Sequence, residues 1–505
     1  MGNKIKILST TDIHGIIYPY NYADNKDMNF GLAKIQSLIK SIRDEDTILI
    51  DNGDVIEGSP YTYYHYANKA DEVCPVSIAM SKMNYDFINV GNHDFNYGPE
   101  ALFRHIEAVN APCISANVLY NDKLLGPEYV VKNIQGKKLV FFGITTHFVP
   151  LWEEKENIKG FTFIDAYECA KTLVEKIKTQ ENPDYLICVY HGGFEDNLET
   201  GEPQQSSGEN QACRILREIQ GIDIMITGHQ HRTTQGVLYD CAYTQSFQRG
   251  EYLSYIEIDT DTNKISTQLI VPELEADKEI MEICQKEEDE VQKWLDTPLG
   301  QTKVNLKIED GFAARLNKSQ LVTFINNVQR EVSGAELSGA AIFLFASGLN
   351  TDITMRNLMS TYFFPNTLVV KKVTGKILRE YLERCAQFWQ IKDNEIIVNP
   401  IYDFPTPAHH NYDMVDGVEY TIKVSNPEGK RIISLTKDGV DVKDDDEFTL
   451  AVNNYRSGGS GGFDMIKDAP TIKEIQKSVI DIIADYIIKN KIIDFEEKHN
   501  IKVII

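Results

Sequence analysis

No stretch of this chain approaches 18 consecutive apolar residues, which leaves a transmembrane helix without support. Positive charge is also scarce: 51 Lys and Arg stand against 75 Asp and Glu, a formal charge of −24. A surface of that sign repels polymeric nucleic acid and anionic membranes. A small anionic substrate is still allowed, because bound metal ions invert the field locally. The eight cysteines include no Cys-x-x-Cys pair, and several lie inside apolar runs, as Cys188 does in YLICVY. They read as reduced, buried residues rather than a disulfide framework. Internal repeats and extended low-complexity tracts are missing as well. The opening MGNKIKILST begins at once on a strand, without an apolar segment or small-residue cleavage site. Nor does Met1-Gly2 run into a myristoylation motif. The expectation is a cytoplasmic protein, or an exported one if a signal sequence was removed.

What is present is ordinary globular material. The 505 residues, 42% hydrophobic and 25% charged, suffice for two or three domains with sizeable cores. Up to about residue 275, strand-like runs alternate with amphipathic stretches such as GLAKIQSLIKSIRDE and DAYECAKTLVEKIKTQ, the signature of an α/β domain. In ADKEIMEICQKEEDEVQKWLD, Ile280, Cys284, Val291 and Leu295 recur at helical spacing on an acidic background, which suits a connecting helix. Thr297-Pro298-Leu299-Gly300 then punctuates a boundary. The division expected is 1–275, a connector at 276–300, and 301–505. The last part is again mixed, with TLVVKKVTG and FTLAVN strand-like and KILREYLERCAQF helical. TIKEIQKSVIDIIADYIIKN reads as one amphipathic helix before a short NIKVII strand.

Five apolar runs end in metal-binding residue types. KIKILST leads to Asp12 and His14, TILI to Asp54, FINV to Asn92, YLICVY to His191, and IDIMIT to His229 and His231. In open α/β sheets, ligands sit beyond the carboxyl ends of the strands, where such loops converge. Each dipeptide alone is ordinary turn chemistry; five in order point to one polynuclear metal site. No thiolate is among them, and imidazole with carboxylate and amide oxygen suits Zn, Mn or Fe better than Ca. Seven ligands are too many for one four-coordinate ion and fit two ions roughly 3.5–4 Å apart sharing a carboxylate, a place best filled by Asp54. Two divalent cations less two aspartates leave positive charge that a phosphate ester complements. Hydrolysis of a phosphoester is the reaction class implied. His229 and His231, two apart, share one side if their segment is extended.

These motifs resemble those of the calcineurin-like metallophosphoesterases. GITTHFVPLW at 143–152, SGEN at 207–210 and FFPNTLVVKKVTG at 363–375 extend the resemblance to the 5′-nucleotidase family. GNHDFNYG, NYDMVDGVEYTI and NNYRSGGSGG are similar to the 2′,3′-cyclic-nucleotide 2′-phosphodiesterase/3′-nucleotidase group. The resemblance spans nearly the whole chain. It implies an N-terminal calcineurin-like αββα sandwich and a C-terminal mixed α/β nucleotide-binding domain. It also implies Asp12, His14, Asp54 and His231 around one metal, and Asp54, Asn92, His191 and His229 around the other.

By the same resemblance His93 faces the phosphate and protonates the leaving oxygen. Relatives carry Asp three positions later; here the residue is Asn96, and without that charge His93 is expected to act as a neutral hydrogen-bond donor. Phe364 and Tyr455 align with a base-stacking clamp, with Asn366 and Asn454 supporting it. The Gly-rich 457–462 stretch is expected to let backbone approach a ligand. The loop 345–350 lacks the substrate-binding Arg of many relatives. His65, His105, His147, His409, His410 and His499 carry no motif and read as surface or satisfied core residues. YTYYHY at 61–66 reads as packing. With metals and clamp on different domains, closure about 275–300 is expected. The alternatives are a 5′-nucleotidase, a related UDP-sugar hydrolase or phosphoesterase with a non-nucleotide substrate, and a catalytically idle nucleotide sensor.

Overall fold

The computed structural model describes residues 4–202, 208–362, 366–403 and 407–505. The chain divides into two compact units, residues 1–291 and 292–505, and the division falls within the helix Lys278–Leu295. Among the described residues no helix is long and apolar enough to cross a membrane.

The first unit is built on two sheets face to face. In one, the strand order is Lys264–Ile270, Leu253–Asp259, Lys4–Thr10, Thr47–Asp51 and Phe87–Ile88. In the other it is Thr233–Leu238, Cys241–Ser246, Ile224–Thr227, Tyr185–His191, Lys137–Thr145 and Val130–Ile134. Ile5, Ile7, Ile48, Ile50 and Phe87 from the first interdigitate with Phe141, Ile187, Val189 and Ile226 from the second. The outer face of the second sheet is covered by helix Ala166–Gln180, whose Ala170, Leu173, Val174 and Ile177 recur at helical spacing, with Asp165 as N-cap. The strands that matter for the site are parallel neighbours. Lys4–Thr10 pairs with Thr47–Asp51, which pairs with Phe87–Ile88; Tyr185–His191 pairs with Ile224–Thr227. Their carboxyl ends therefore lie in register at one edge, Thr10 opposite Asp51 and Asp51 opposite Ile88.

A belt of tyrosines holds the start of the helix Lys278–Leu295 to this unit. Tyr18 donates to the Met281 carbonyl (2.8 Å), Tyr61 to that of Cys284 (3.3 Å) and Tyr22 to Glu288 (2.8 Å). The buried His65 ring meets Glu287 at 2.8 Å. The aromatic run at 61–66 is thus packing for this helix. All eight cysteines are unpaired, and seven are buried.

The second unit centres on a five-stranded sheet in the order Met414–Asp416, Leu337–Ala340, Glu447–Asn453, Thr367–Thr374 and Thr471–Ser478. TIKEIQKSVIDIIADYIIKN is therefore not one helix. Thr471–Ser478 is a strand on Thr367–Thr374, and only Val479–Asn490 is helical. The break is local chemistry, because the Ser478 side chain accepts from the Asp481 N–H and starts the helix there. Pro298–Thr302, read as punctuation, is likewise a strand, paired with Asp352–Thr354.

Candidate metal centre and base site

The strand ends deliver their side chains through backbone that L-residues rarely adopt. Asp12, His14, Asp54, His229 and His231 have φ of 53°, 51°, 60°, 68° and 49°. Five left-handed non-glycine residues in one cluster store roughly 1–3 kcal/mol each, a cost that concentrates where geometry serves function. Hydrogen bonds hold these loops together. Asp12 N–H donates to the Gly53 carbonyl (2.9 Å) and His14 N–H to that of Asp54 (2.8 Å). The buried Asp94 carboxylate accepts from the N–H groups of Asp54, Val55 and Gly91 at 2.8–2.9 Å. Gly91 is needed for close approach, since a Cβ there would lie 2.1 Å from Asp54 Oδ1 and 2.6 Å from His191 Cε1.

The ring tautomers follow from the partners on the outer side of each imidazole. His14 Nδ1 faces the Glu57 carbonyl at 2.9 Å, so it carries the proton and Nε2 turns its lone pair inward. His191 Nδ1 donates in the same way to the Asn52 carbonyl at 2.6 Å. His229 reverses the arrangement: Nε2 donates to Glu209 at 2.7 Å and Nδ1 faces Asn92 Oδ1 at 2.7 Å. Such outer partners orient imidazoles for metal binding.

Two clusters result, Asp12 with His14 and His231, and Asp12 with Asp54 and His191. His14 Nε2 and His231 Nε2 stand 3.0 Å apart, roughly the edge of a coordination tetrahedron with ~2.0–2.1 Å bonds. His191 Nε2 is buried and points at Asp54 Oδ2 (3.2 Å) without hydrogen-bond geometry. Burial favours a neutral His191, yet the carboxylate of Asp54 outweighs it and pushes the ring up to about 9. Two buried aspartates thus demand positive charge, which divalent cations supply. The donor set fits such ions, oxygen and imidazole nitrogen without thiolate. Asp12 is common to both clusters, and Asp54 belongs to the second. Asp54 turns Oδ1 to the His93 N–H (2.7 Å) and Oδ2 to His191.

Other placements depart from the sequence reading. His229 and His231 are left-handed rather than extended, and their rings diverge, one toward Asn92 and the other toward His14. His93 does not lack a carboxylate neighbour: Nδ1 lies 3.0 Å from Glu57 Oε2 and 2.8 Å from Asn96 Oδ1. Burial favours the neutral ring, but Glu57 and Asp54 outweigh it and hold His93 well above the usual imidazole range. Glu57 comes from another strand end, so no spacing rule around Asn96 pointed to it. Two further residues join the site without a spacing signal of their own: Glu209, inside SGEN, accepts from His229 Nε2, and Trp152 stacks on the His229 ring with centroids 5.5 Å apart.

In the second unit, antiparallel pairing of Leu368 with Asn453 brings the start of one strand beside the end of its neighbour. Asn454 Oδ1 accepts from Thr367 N–H at 3.1 Å, and the Asn366 carbonyl accepts from Val479 N–H at 2.7 Å, so both brace the strand ends. Tyr455 is half-buried, with His410 at a ring-centroid distance of 5.8 Å. Phe364 lies outside the described residues. The buried Arg456 next door binds Asp413 (2.6 Å) and lies over the Phe463 ring at 3.7 Å. The glycine run serves this cage: a Cβ on Gly461 would lie 2.2 Å from Asn411 Oδ1 and 2.8 Å from the Arg456 guanidinium. The close approach is to the protein's own side chains. Arg356 is engaged by Asp296 and Gln292.

Two family models match the chain, calcineurin-like phosphoesterase over residues 5–233 and the 5′-nucleotidase C-terminal domain over 298–468. A crystal structure of a putative 5′-nucleotidase from Staphylococcus aureus, in complex with alpha-ketoglutarate, is 32% identical and matches 99% of both chains with a TM-score of 0.92. The chain belongs to the 5′-nucleotidase family of calcineurin-like metallophosphoesterases. It is by that membership a metal-dependent phosphoester hydrolase of mixed α/β fold, in a family that binds two divalent ions. The 2′,3′-cyclic-nucleotide 2′-phosphodiesterase/3′-nucleotidase of Salmonella typhimurium is 27% identical over 90% of this chain and 81% of its own length. The trifunctional nucleotide phosphoesterase YfkN of Bacillus subtilis is 26% identical over 98% of this chain, which spans only 38% of that larger protein.

Proposed function

We propose that this member is a dinuclear-metal hydrolase of nucleoside phosphates, of the 2′,3′-cyclic-nucleotide 2′-phosphodiesterase/3′-nucleotidase type. The observation that carries the reading is the set of outer partners on His14, His191 and His229, which turn the other ring nitrogen inward, toward His231, Asp54 and Asn92 respectively. Asp12, His14, Asp54 and His231 would hold one ion; Asp54, Asn92, His191 and His229 would hold the other, with Asp54 shared. Those ions supply Lewis acidity and lower the pKa of the attacking water. The buried aspartates balance the ion charge, and His93 offers Nε2 to the oxygen that leaves phosphorus. Tyr455 would stack on the base and position the reacting bond through remote binding energy.

The test is a panel of 2′,3′-cyclic AMP, 3′-AMP and 5′-AMP assayed side by side with Mn²⁺, with metal content measured on the same protein. Turnover of the first two with about two ions per chain supports the reading. Turnover of 5′-AMP alone supports the second one, a 5′-nucleotidase, which the Staphylococcus aureus structure favours by its description. Bound nucleotide with less than one ion per chain would leave only an idle sensor.

A further inference from the structure

Glu57 is an acid that the metal centre does not use. Its side chain is 2% exposed, and Oε2 stands 3.0 Å from His93 Nδ1, a charge contact without hydrogen-bond geometry. A carboxylate taken that far out of water is costly unless it is paired. The Glu57 backbone carbonyl does a separate job, accepting from His14 Nδ1. One residue therefore touches both the metal centre and the acid, through different atoms. On the other side of the same ring nitrogen, Asn96 presents Oδ1 at 2.8 Å. The Asn96 amide cannot flip without loss, because Nδ2 donates to Glu153 Oε2 at 2.7 Å. The Asn96 carbonyl in turn accepts from the Asn157 side chain at 2.7 Å, and Asn157 also donates to Glu153 at 2.9 Å.

We infer that Glu57 is a positioning residue for proton delivery: its buried carboxylate lies in charge contact with the His93 ring while the Glu153-oriented Asn96 accepts the Nδ1 proton, and together they fix the ring so that Nε2 carries the proton given to the leaving group. The inference rests on the reading of His93 as the general acid. In the step itself, water oxygen bonds to phosphorus and sheds its proton to solvent. The scissile P–O bond breaks toward the leaving oxygen, which keeps the electron pair and takes the proton from Nε2. Solvent then returns a proton to the ring. Nothing is oxidised or reduced.

Leaving-group dependence separates this role from a structural one. p-Nitrophenolate departs without a proton, whereas phenolate and a ribose alkoxide need one. Glu57→Gln keeps the backbone carbonyl and the side-chain volume, so metal content and Tm should match the parent. Its kcat should fall about 100-fold on phenyl phosphate and 3′-AMP, but no more than about threefold on p-nitrophenyl phosphate. Asn96→Asp in the Glu57→Gln background restores a carboxylate beside Nδ1 and should return kcat on phenyl phosphate to within about tenfold of the parent. Equal losses on the two aryl esters, or no loss on either, overturn the inference. If Glu57→Gln folds poorly, Glu57→Met, which also removes the charge, is held to the same comparison. His93→Ala tells the two ideas apart. Should it lose activity without regard to the leaving group, the general-acid reading itself fails. Should it discriminate while Glu57→Gln does not, only the role of Glu57 falls.

Discussion

Gly91→Ala tests whether the metal centre depends on backbone proximity rather than on its ligands alone. The added methyl would sit 2.1 Å from Asp54 Oδ1, 2.6 Å from Asp54 N and 2.6 Å from His191 Cε1, where ordinary contact begins at 3.4 Å. The φ of Gly91 lies outside the left-handed region, so the substitution adds crowding and no intrinsic backbone strain. Relief requires the Asp54 carboxylate or the strand end to retreat by ~1 Å, and both neighbours are buried on every side. Overpacking of this kind costs about 1–3 kcal/mol of stability. A ligand displaced by ~1 Å loses on the order of 100-fold in rate. Disturbed ligand geometry weakens metal binding about 10–100-fold. Mn²⁺ titration calorimetry, metal content after gel filtration and kcat/KM on p-nitrophenyl phosphate measure all three. Gly136→Ala is the control, since a Cβ there meets nothing within 4 Å and only its φ of 76° is strained. Parent-like Mn²⁺ affinity and turnover in Gly91→Ala would refute the argument.

Asp54→Asn should abolish turnover while the fold survives, checked by activity and circular dichroism. Tyr455→Ala should raise KM by the value of one stack, about 1–3 kcal/mol or roughly 5–150-fold, with kcat little changed; an equal fall in kcat would contradict the division of labour. Lys318→Met strands the Asp416 carboxylate, whose buried partner stands at 2.5 Å, and should cost about 3–5 kcal/mol in urea unfolding. Lys318→Met with Asp416→Leu should recover much of that loss. His410 is lowered to about 4 by burial and by the neighbouring Arg456 guanidinium, so the folded ring stays neutral where the unfolded one protonates. Its contribution is whole above pH ~6.5 and fades as pH falls toward about 4, at most about 3 kcal/mol. His410→Gln should flatten that acid limb in unfolding measured across the window; an unchanged limb would show that His410 does not set it.

The elements most legible in the sequence were those whose signal is local. Period and cap identify Ala166–Gln180, with Asp165 at its start. The strand at Thr471–Ser478 was misread because its apolar residues also fit a helical stripe, and only pairing with Thr367–Thr374 decides between the two periods. His410 had no motif, and its place beside Tyr455 depends on a segment more than 40 residues away folding back.

By itself the chain determined which residue types end which strands, and hence that aspartates, an asparagine and imidazoles gather at one sheet edge. It determined this because side-chain chemistry and β-strand periodicity are written locally. Only the tertiary structure decided how those groups are used: that His229 and His231 part company at left-handed φ, that Asp12 stands in both clusters, and that the carboxylate beside His93 is Glu57. Distances of this kind are set by parallel register and by loops bonded to one another across the sheet. No single segment carries that information.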